Sequence, residues 1–439
     1  MLDRWFGLRA SGTTVRTEAL AGATTFLASA YIIFVQPTVL AAAGMDQGAV
    51  LAATCIATAV ATLIMALWAN YPIVVAPAMG HNFFFAFTVV VAGGTPWPVA
   101  LGAVAIAGLL FILTAGVGLR ERVISAIPDS FKHAITVGIG LLIAAIGLEW
   151  AGVIVDAPGT LVTLGSLKSA PVLLALGTLA LTAVLMARGV KAALLIGMGV
   201  ATIVAVAAGL VEFTGVVGAP PSLAPTFLQL DVLGAFSPAL IEVVFVFFLL
   251  ALFDSIGTLV GLASRIGLLH EDGTLPRARQ ALMADAVGTV VGAALGTSTV
   301  TAYIESSAGV AAGGRTGLAA VVTAALFLLA LFFYPLVGMV GSGLTTGEGA
   351  TLYPIVAPAL VLVGVMMMES VRRVRWEDLT EAIPAFLAMI TMPLAFSITD
   401  GIAFGFIAYA VLKPATGRGR ELGWLAYVFA ALFLVRYAV

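Results

Sequence analysis

The chain is a succession of long apolar runs separated by short polar or Gly/Pro-rich breaks. A helix needs about 20 mainly apolar residues to cross a bilayer, and many of these runs approach that length. We mark segments near residues 19–43, 49–69, 74–91, 98–118, 134–151, 171–187, 191–212, 239–263, 280–295, 302–312, 317–341, 351–369, 383–398 and 400–413. The pattern predicts an all-α polytopic membrane protein with fourteen transmembrane segments, several of them short.

The basic residues test this threading. With residues 1–18 in the cytosol, all of the 20 Lys and Arg residues except Lys168 and Arg436 fall in cytosolic stretches. Cytosolic loops carry the excess of Lys and Arg, so this orientation is favoured. It also favours two short helices joined at residues 399–401. Residues 414–439 are then a cytosolic or interfacial C-terminus, whose apolar part is expected along the inner surface.

The third segment of each half of the chain is interrupted. Seven crossings per half would invert the second half relative to the first, a common plan of secondary transporters. The interruptions are APAMGHN at 76–82 and GTSTVTAYIE at 296–305. Residues 74–76 and 298–301 have β-type composition and are predicted to pair as two short antiparallel strands. Matching broken segments of this kind point to a binding site, with positive helix ends directed at it.

Composition narrows the classes of function. Hydrophobic residues make up 62% of the chain and charged residues only 10%, against about 25% in soluble domains. A soluble enzyme, a nucleic-acid-binding protein and a disordered chain are excluded. The single cysteine, Cys55, excludes a disulfide framework, and no motif has metal-ligand spacing or a catalytic nucleophile. The chain is therefore expected to be neither an enzyme nor a metalloprotein.

Three acids are the candidates for chemistry inside the membrane. Asp254 lies more than halfway along an apolar helix, where a charge costs about 2.5–3.5 kcal/mol. It either pins helices together or binds a ligand or proton, with Thr258 on the same helix face. Glu305 either complements a helix N-terminus or faces the cavity and binds a proton. Asp285 is expected to have a structural or gating role.

Further candidates lie at the interruptions. Asn82 can donate and accept hydrogen bonds together, as the edge of a nucleobase requires. His81 is either a structural residue or a ligand, and Tyr303 either stacks on a planar ligand or packs. The glycines at the two ends of residues 257–261 predict a face for close helix packing.

Several motifs together resemble a known family. They are the stretches 21–27, 30–35, 76–82, 252–259, 296–306, 383–386 and 400–405. Over about residues 15–438 the sequence resembles the AzgA-like purine permeases, a branch of the group that includes the xanthine/uracil and nucleobase–ascorbate permeases. The resemblance implies proton-coupled import of the purine nucleobases adenine, guanine or hypoxanthine. It implies no cofactor besides the proton and no nucleic-acid partner.

The resemblance also implies an architecture. Fourteen segments form two inverted repeats, and a core domain (19–118 and 239–341) moves against a gate domain (134–212 and 351–413). The protein is expected in the lipid bilayer of the inner or plasma membrane, with a cytosolic N-terminus, as a homodimer through the gate.

By matching position, the resemblance implies roles for individual residues. Asp254 and Glu305 correspond to the acidic ligands of segments 8 and 10 and carry the coupling proton between them. Tyr303 and Ile304 correspond to residues whose backbone lines the nucleobase, and Asn82 to the polar residue of segment 3.

One departure leaves the preferred purine open. His81 and Phe83 stand where the family pattern has an apolar and a small residue. The alternatives are a xanthine or uracil permease of the same fold, or an inorganic-anion (sulfate or bicarbonate) transporter, whose substrate two acids in the site would repel.

Overall fold

The structure is a computed structural model that describes residues 2–117, 127–237, 240–265, 275–345 and 350–438. The first half contains α1 (Leu2–Phe6), α2 (Val15–Ser29), α3 (Ile32–Ala41), α4 (Gln47–Ile64), β1 (Val75–Pro77), α5 (Met79–Phe83), α6 (Trp97–Val117), α7 (Asp129–Trp150), β2 (Ile154–Ala157), β3 (Leu161–Leu164), α8 (Ala170–Ala187) and α9 (Ala193–Ala207). Wider π-helical turns, Met65–Ala69 and Phe84–Ala92, continue α4 and α5.

The second half is also mainly helical. It contains α10 (Val232–Ala235), α11 (Ile241–Arg265), α12 (Ala278–Leu295), β4 (Val300–Ala302), α13 (Ser306–Ala311), α14 (Gly317–Ala330), α15 (Tyr334–Val340), β5 (Leu344–Thr345), β6 (Thr351–Leu352), α16 (Ala357–Met367), α17 (Leu379–Ala395), α18 (Ile398–Ala415) and α19 (Trp424–Ala438). Short 3₁₀ turns lie at Leu331–Phe333, Met368–Arg373 and Gly419–Glu421.

Eight helical stretches of the described residues are long and apolar enough to cross a membrane. They are Val15–Ala41, Gln47–Ala69, Trp97–Thr114, Asp129–Trp150, Ala170–Ala187, Ile241–Ala263, Gly317–Val340 and Ile398–Ala415. The protein is therefore a multi-pass membrane protein. Each of the fourteen predicted segments contains a helix, but many are shorter than a bilayer, so the count of fourteen crossings stays a prediction.

The helices pack as two sets. Helices α2–α6 pack with α11–α14, and the closest pairs are α12 on α6, α14 on α2 and α14 on α4. Helix α7 packs on α16 and α17, α17 packs on α18, and α8 packs on α9. The helices pack more closely within each set than between the two sets.

The first predicted segment is broken rather than continuous. Helix α2 ends at Ser29 and α3 begins at Ile32. Between them, Ile33 N donates to Ala30 O and Phe34 N donates to Tyr31 O, both at 3.1 Å, which tightens the turn. The break places the Tyr31 side chain in the interior.

The joint between α17 and α18 lies earlier than predicted. Phe396 ends α17 in the left-handed conformation (φ 49°), and Ser397 caps α18 by accepting a hydrogen bond from Asp400 N at 3.2 Å. Serine is a favoured N-cap, which explains why the helix restarts there. Asp400 therefore belongs to the first turn of α18 and not to the joint.

Two further hairpins were not predicted. β2 pairs with β3 and β5 pairs with β6, both antiparallel, in stretches that the sequence assigned to outer connections. Gly159, at φ 97°, allows the tight return between β2 and β3.

The last helix packs against the other helices, while its expected place along the inner membrane surface stays a prediction. Near its start, Tyr427 donates to Gly419 O at 2.8 Å, and near its end Tyr437 donates to Asp400 Oδ1 at 2.6 Å. Helix α19 therefore runs antiparallel along α18. Its Arg436 meets Glu242 of α11 at 3.1 Å and Asp400 at 3.4 Å, so the basic residue that the threading left unplaced is paired with two acids.

A buried acid joins the two halves of the chain. Glu18 of α2 accepts hydrogen bonds from the backbone N–H groups of Arg315 (2.9 Å), Thr316 (3.3 Å) and Ala319 (3.2 Å). These are among the groups that the start of α14 leaves without helical partners. The negative charge also complements the positive end of that helix.

Glu18→Ala is expected to lower the free energy of unfolding by about 3 kcal/mol, because buried N–H groups lose their acceptor. Glu18→Gln keeps one acceptor oxygen and should lose less. Thermal unfolding of the purified protein in detergent measures both. Exposed Glu369 provides the control, since Glu369→Ala should leave the midpoint unchanged. An equal midpoint for Glu18→Ala and wild type would show that the bonds to α14 contribute nothing.

Candidate binding site at two broken helices

The two interrupted segments meet as a pair of strands. β1 and β4 pair antiparallel, with Val75 opposite Ala302, Ala76 opposite Thr301 and Pro77 opposite Val300. This confirms the predicted strand pair. Backbone groups that leave helical geometry inside a membrane must find partners within the protein, and these strands provide them for each other.

Threonine side chains close the outer edge of each strand. The Thr62 hydroxyl of α4 accepts from Val75 N at 3.0 Å and donates to Val75 O at 3.2 Å. The Thr289 hydroxyl of α12 does the same for Val300, at 3.3 Å and 3.0 Å. One hydroxyl can serve as donor and acceptor together, so each replaces a missing third strand.

The same correspondence continues beyond the strands. Ala78 N donates to Thr299 O, and Tyr303 N donates to Val74 O, both at 3.0 Å. Each bond joins the residue after one strand to the residue before the other. The centre of the molecule thus has a local two-fold pattern of hydrogen bonds.

Asp285 breaks this pattern for a simple reason. β4 ends in Ala302, whose N–H donates to Asp285 Oδ2 at 3.1 Å, whereas β1 ends in Pro77, which has no N–H. Only the second strand therefore needs this acceptor. Asp285 is fully buried and is placed to hold β4.

Asp254 has a different environment. It lies within the 25-residue helix α11, yet it is exposed to solvent. Its Oδ2 accepts from the Thr301 hydroxyl of β4 at 2.9 Å. Thr258, one turn further on the same helix, is buried.

The expected close packing at residues 257–261 is wrong. A side chain at Gly257 or Gly261 would meet nothing within 4 Å among the described residues. Gly257 is exposed on the same stripe of α11 as Asp254. The space beside Gly257, on the side of α11 that holds the carboxylate, is therefore open among the described residues.

Gly257→Leu is expected to reduce substrate uptake about tenfold or more, because the larger side chain fills the path to Asp254. Folding should be unaffected, since glycine is the poorer helix former by about 1 kcal/mol relative to alanine. Gly177→Leu on α8 is the matched control, as that position is also open and far from the strands. Initial uptake rates at equal protein level test this. Equal rates for the two variants would mean that the open space beside α11 is not a path.

Glu305 lies at the start of the second half-helix. It directly precedes α13 and is half-buried, and its Oε1 accepts from the Tyr31 hydroxyl at 2.7 Å. Tyr31 comes from the break between α2 and α3, and it was not among the predicted site residues. The available signal was a tyrosine within an apolar segment, since a buried hydroxyl needs a partner.

The first half-helix contributes Asn82. Its Oδ1 accepts from the Ser298 hydroxyl, and its Nδ2 lies 3.5 Å from Pro77 O. Tyr303 also donates its hydroxyl to Pro77 O, so its ring is fixed beside β1.

Two neighbours differ in exposure. Ile304 is 47% exposed, next to Glu305. His81 is buried, and its Nε2 has no hydrogen-bond partner in the part of the chain that the structure describes.

Broken helices that meet at a strand pair, beside carboxylates on apolar segments, are typical of a multi-pass membrane transport protein. The chain belongs to the Permease family (Xan_ur_permease), whose sequence profile matches residues 16–404. This confirms the resemblance found in the sequence motifs.

Relatives of known name cover nearly the whole chain. It is 47% identical to the adenine permease AdeP of Escherichia coli (strain K12) over 436 residues, which are 99% of this chain and 96% of AdeP. It is 45% identical to the guanine/hypoxanthine permease PbuO of Bacillus subtilis (strain 168) over 437 residues, which are 98% of this chain and 99% of PbuO. Relatives of this family are transporters rather than enzymes.

The fold has a solved counterpart. The transmembrane domain of the cyanobacterial bicarbonate transporter BicA superposes with a TM-score of 0.61 over 89% of this chain and 96% of that chain. The identity is 18%, so the likeness concerns the fold alone.

Proposed function

We propose that this protein is a proton-coupled carrier of purine nucleobases that works by alternating access. The observation that carries the proposal is Asp254, an exposed carboxylate in the middle of an apolar helix that accepts a hydrogen bond from Thr301 of the strand pair. A charge in this position is costly unless it serves a ligand. Permeases for adenine and for guanine and hypoxanthine among the relatives support the substrate class.

The chemistry of the site suits a purine. Carboxylates accept hydrogen bonds, and a purine offers ring N–H groups and, in adenine and guanine, an amino group. Asp254 and Glu305 accept these bonds, while Asn82 and the backbone at Tyr303 and Ile304 contact the other edge. An inorganic anion is disfavoured, because the two carboxylates would repel it.

The coupling proton belongs to the same pair of acids. Two carboxylates in one site exchange protons as a pair. We place the proton on Glu305, whose Oε1 accepts from the Tyr31 hydroxyl, so that its second oxygen is the one that gains or loses the proton.

The motion follows the two packed sets of helices. We propose that the set containing α2–α6 and α11–α14 is the core domain and that the set containing α7–α9 and α16–α18 is the gate domain. The local two-fold hydrogen bonding of β1 and β4 supports two inverted repeats of seven segments. Rocking of the core against the gate exposes the site alternately to the two sides. A homodimer through the gate, in the cell membrane with the N-terminus in the cytosol, completes this proposal.

Uptake into proteoliposomes tests the proposal. Labelled hypoxanthine is offered under an imposed inward proton gradient, with unlabelled adenine, guanine, xanthine, uracil and sulfate as competitors. Gradient-dependent uptake that unlabelled adenine and guanine block supports the proposal. Competition by xanthine or uracil alone would assign the protein to the xanthine/uracil branch, and transport of sulfate instead would overturn the purine assignment.

A further inference from the structure

Gln36 of α3 connects to the site through side chains that the proposed function has not used. It is fully buried, and its Nε2 donates to Thr297 Oγ1 at 2.9 Å and to Ser298 Oγ at 3.5 Å. Its Oε1 has no partner among the described residues. The opposite orientation would leave two buried N–H donors without acceptors, which is less tolerable than one carbonyl oxygen without a donor.

The donor and acceptor roles in the Gln36–Ser298 hydrogen bond determine those in the Ser298–Asn82 hydrogen bond. Because the Gln36 amide N–H can only donate, Ser298 Oγ accepts from it, and the Ser298 hydrogen is donated to Asn82 Oδ1. On its other side, Asn82 Nδ2 faces Pro77 O, which can only accept. Both neighbours therefore fix the same orientation of the Asn82 amide.

The fixed amide has one donor left. An NH₂ group carries two hydrogens, and Nδ2 makes no hydrogen bond other than that to Pro77 O within the described residues. Asn82 is fully buried, and its second N–H has no acceptor among the described residues.

We propose that Gln36 is a positioning residue which, through Ser298, holds Asn82 as a hydrogen-bond donor and so favours purines with an oxygen at C6 over adenine. This inference rests on the proposed function and specifies its substrate class. The exocyclic group at C6 is an acceptor oxygen in guanine and hypoxanthine and a donor amino group in adenine. A donor at Asn82 pairs with the first and leaves two donors opposed with the second.

The test is a ratio of two substrates within each variant. In Gln36→Glu, the carboxylate only accepts, so Ser298 donates to position 36 and the Asn82 amide is then held by Pro77 O alone. We expect the preference for hypoxanthine over adenine, measured as the ratio of their inhibition constants, to fall about tenfold, which corresponds to about 1.4 kcal/mol. Ser298→Ala should shift the ratio in the same direction, and the double variant should add little.

The controls separate positioning from structure. The ratio does not depend on the amount of folded protein, and Gln36→Leu, which removes the donor without adding a charge, should move it in the same direction. Thr54→Val removes a buried hydroxyl of α4 that has no hydrogen-bond partner among the described residues, and it should leave the ratio unchanged. Equal loss of both purines in the position-36 variants, with an unchanged ratio, overturns the inference. Wild-type protein that binds no purine would instead overturn the proposed function.

Discussion

Asp254→Asn should reduce the initial rate of purine uptake about a hundredfold. Hydrogen bonds to a charged group contribute about 1.5–3 kcal/mol, and a factor of 100 corresponds to about 2.7 kcal/mol. Asparagine has nearly the same shape, so the Thr301 hydroxyl can still donate to its oxygen. What is lost is the charge and the second acceptor oxygen. Initial uptake of labelled hypoxanthine at matched protein level measures the change.

A matched acid distinguishes ligand binding from general disturbance. Asp285 is a second aspartate of the same region, but it is buried and its Oδ2 accepts from the Ala302 backbone. Asp285→Asn keeps an oxygen for that bond, so uptake should stay within a few-fold of wild type. Similar losses for the two variants would mean that Asp254 acts by holding helices together and does not bind substrate.

Glu305→Gln should abolish accumulation against a gradient while leaving exchange across the membrane. Glutamine can accept a hydrogen bond from the Tyr31 hydroxyl. Position 305 therefore keeps its contact with Tyr31, and the site keeps its shape. It cannot take up and release a proton, so the coupling to the proton gradient is lost. The internal concentration of hypoxanthine should then approach the external concentration rather than exceed it.

Two measurements on the same vesicles decide the coupling. Counterflow with unlabelled hypoxanthine inside reports binding and rocking without the gradient, and gradient-driven uptake reports coupling. Tyr31→Phe is the companion variant, because it removes the hydroxyl but leaves a carboxyl group that exchanges protons. Accumulation to the wild-type level by Glu305→Gln would refute the assignment of the proton to this residue.

The parts of the site that the sequence predicted are those that a local pattern determines. β-Branched and small residues at 74–76 and 298–301, between apolar runs, predicted the strand pair. Asp254 was conspicuous because a charge inside an apolar helix is rare. Both signals arise from the cost of unpaired polar groups in hydrocarbon, which composition alone reveals.

The features of the site that the sequence did not predict depend on partners that are distant along the chain. Tyr31, Gln36 and Ser298 are ordinary polar residues until folding brings them to Glu305, Thr297 and Asn82 respectively, more than 200 positions away in each pair. The same holds for α19, whose packing on α18 no local pattern specifies. The glycines at 257 and 261 match a packing motif, but the motif does not tell which neighbour is absent.

The pairing of β1 with β4 has a consequence for how the protein is made. Strand β1 can pair with β4 only when residues 299–303 have been synthesised and inserted. At about 5–20 residues per second, this separation amounts to roughly 10–45 s of translation. During that interval the Thr62 hydroxyl closes only one side of β1, and the other side has no strand to pair with. The first half of the chain must therefore wait in the insertion machinery, or in a shallow position at the membrane surface, until the second half arrives.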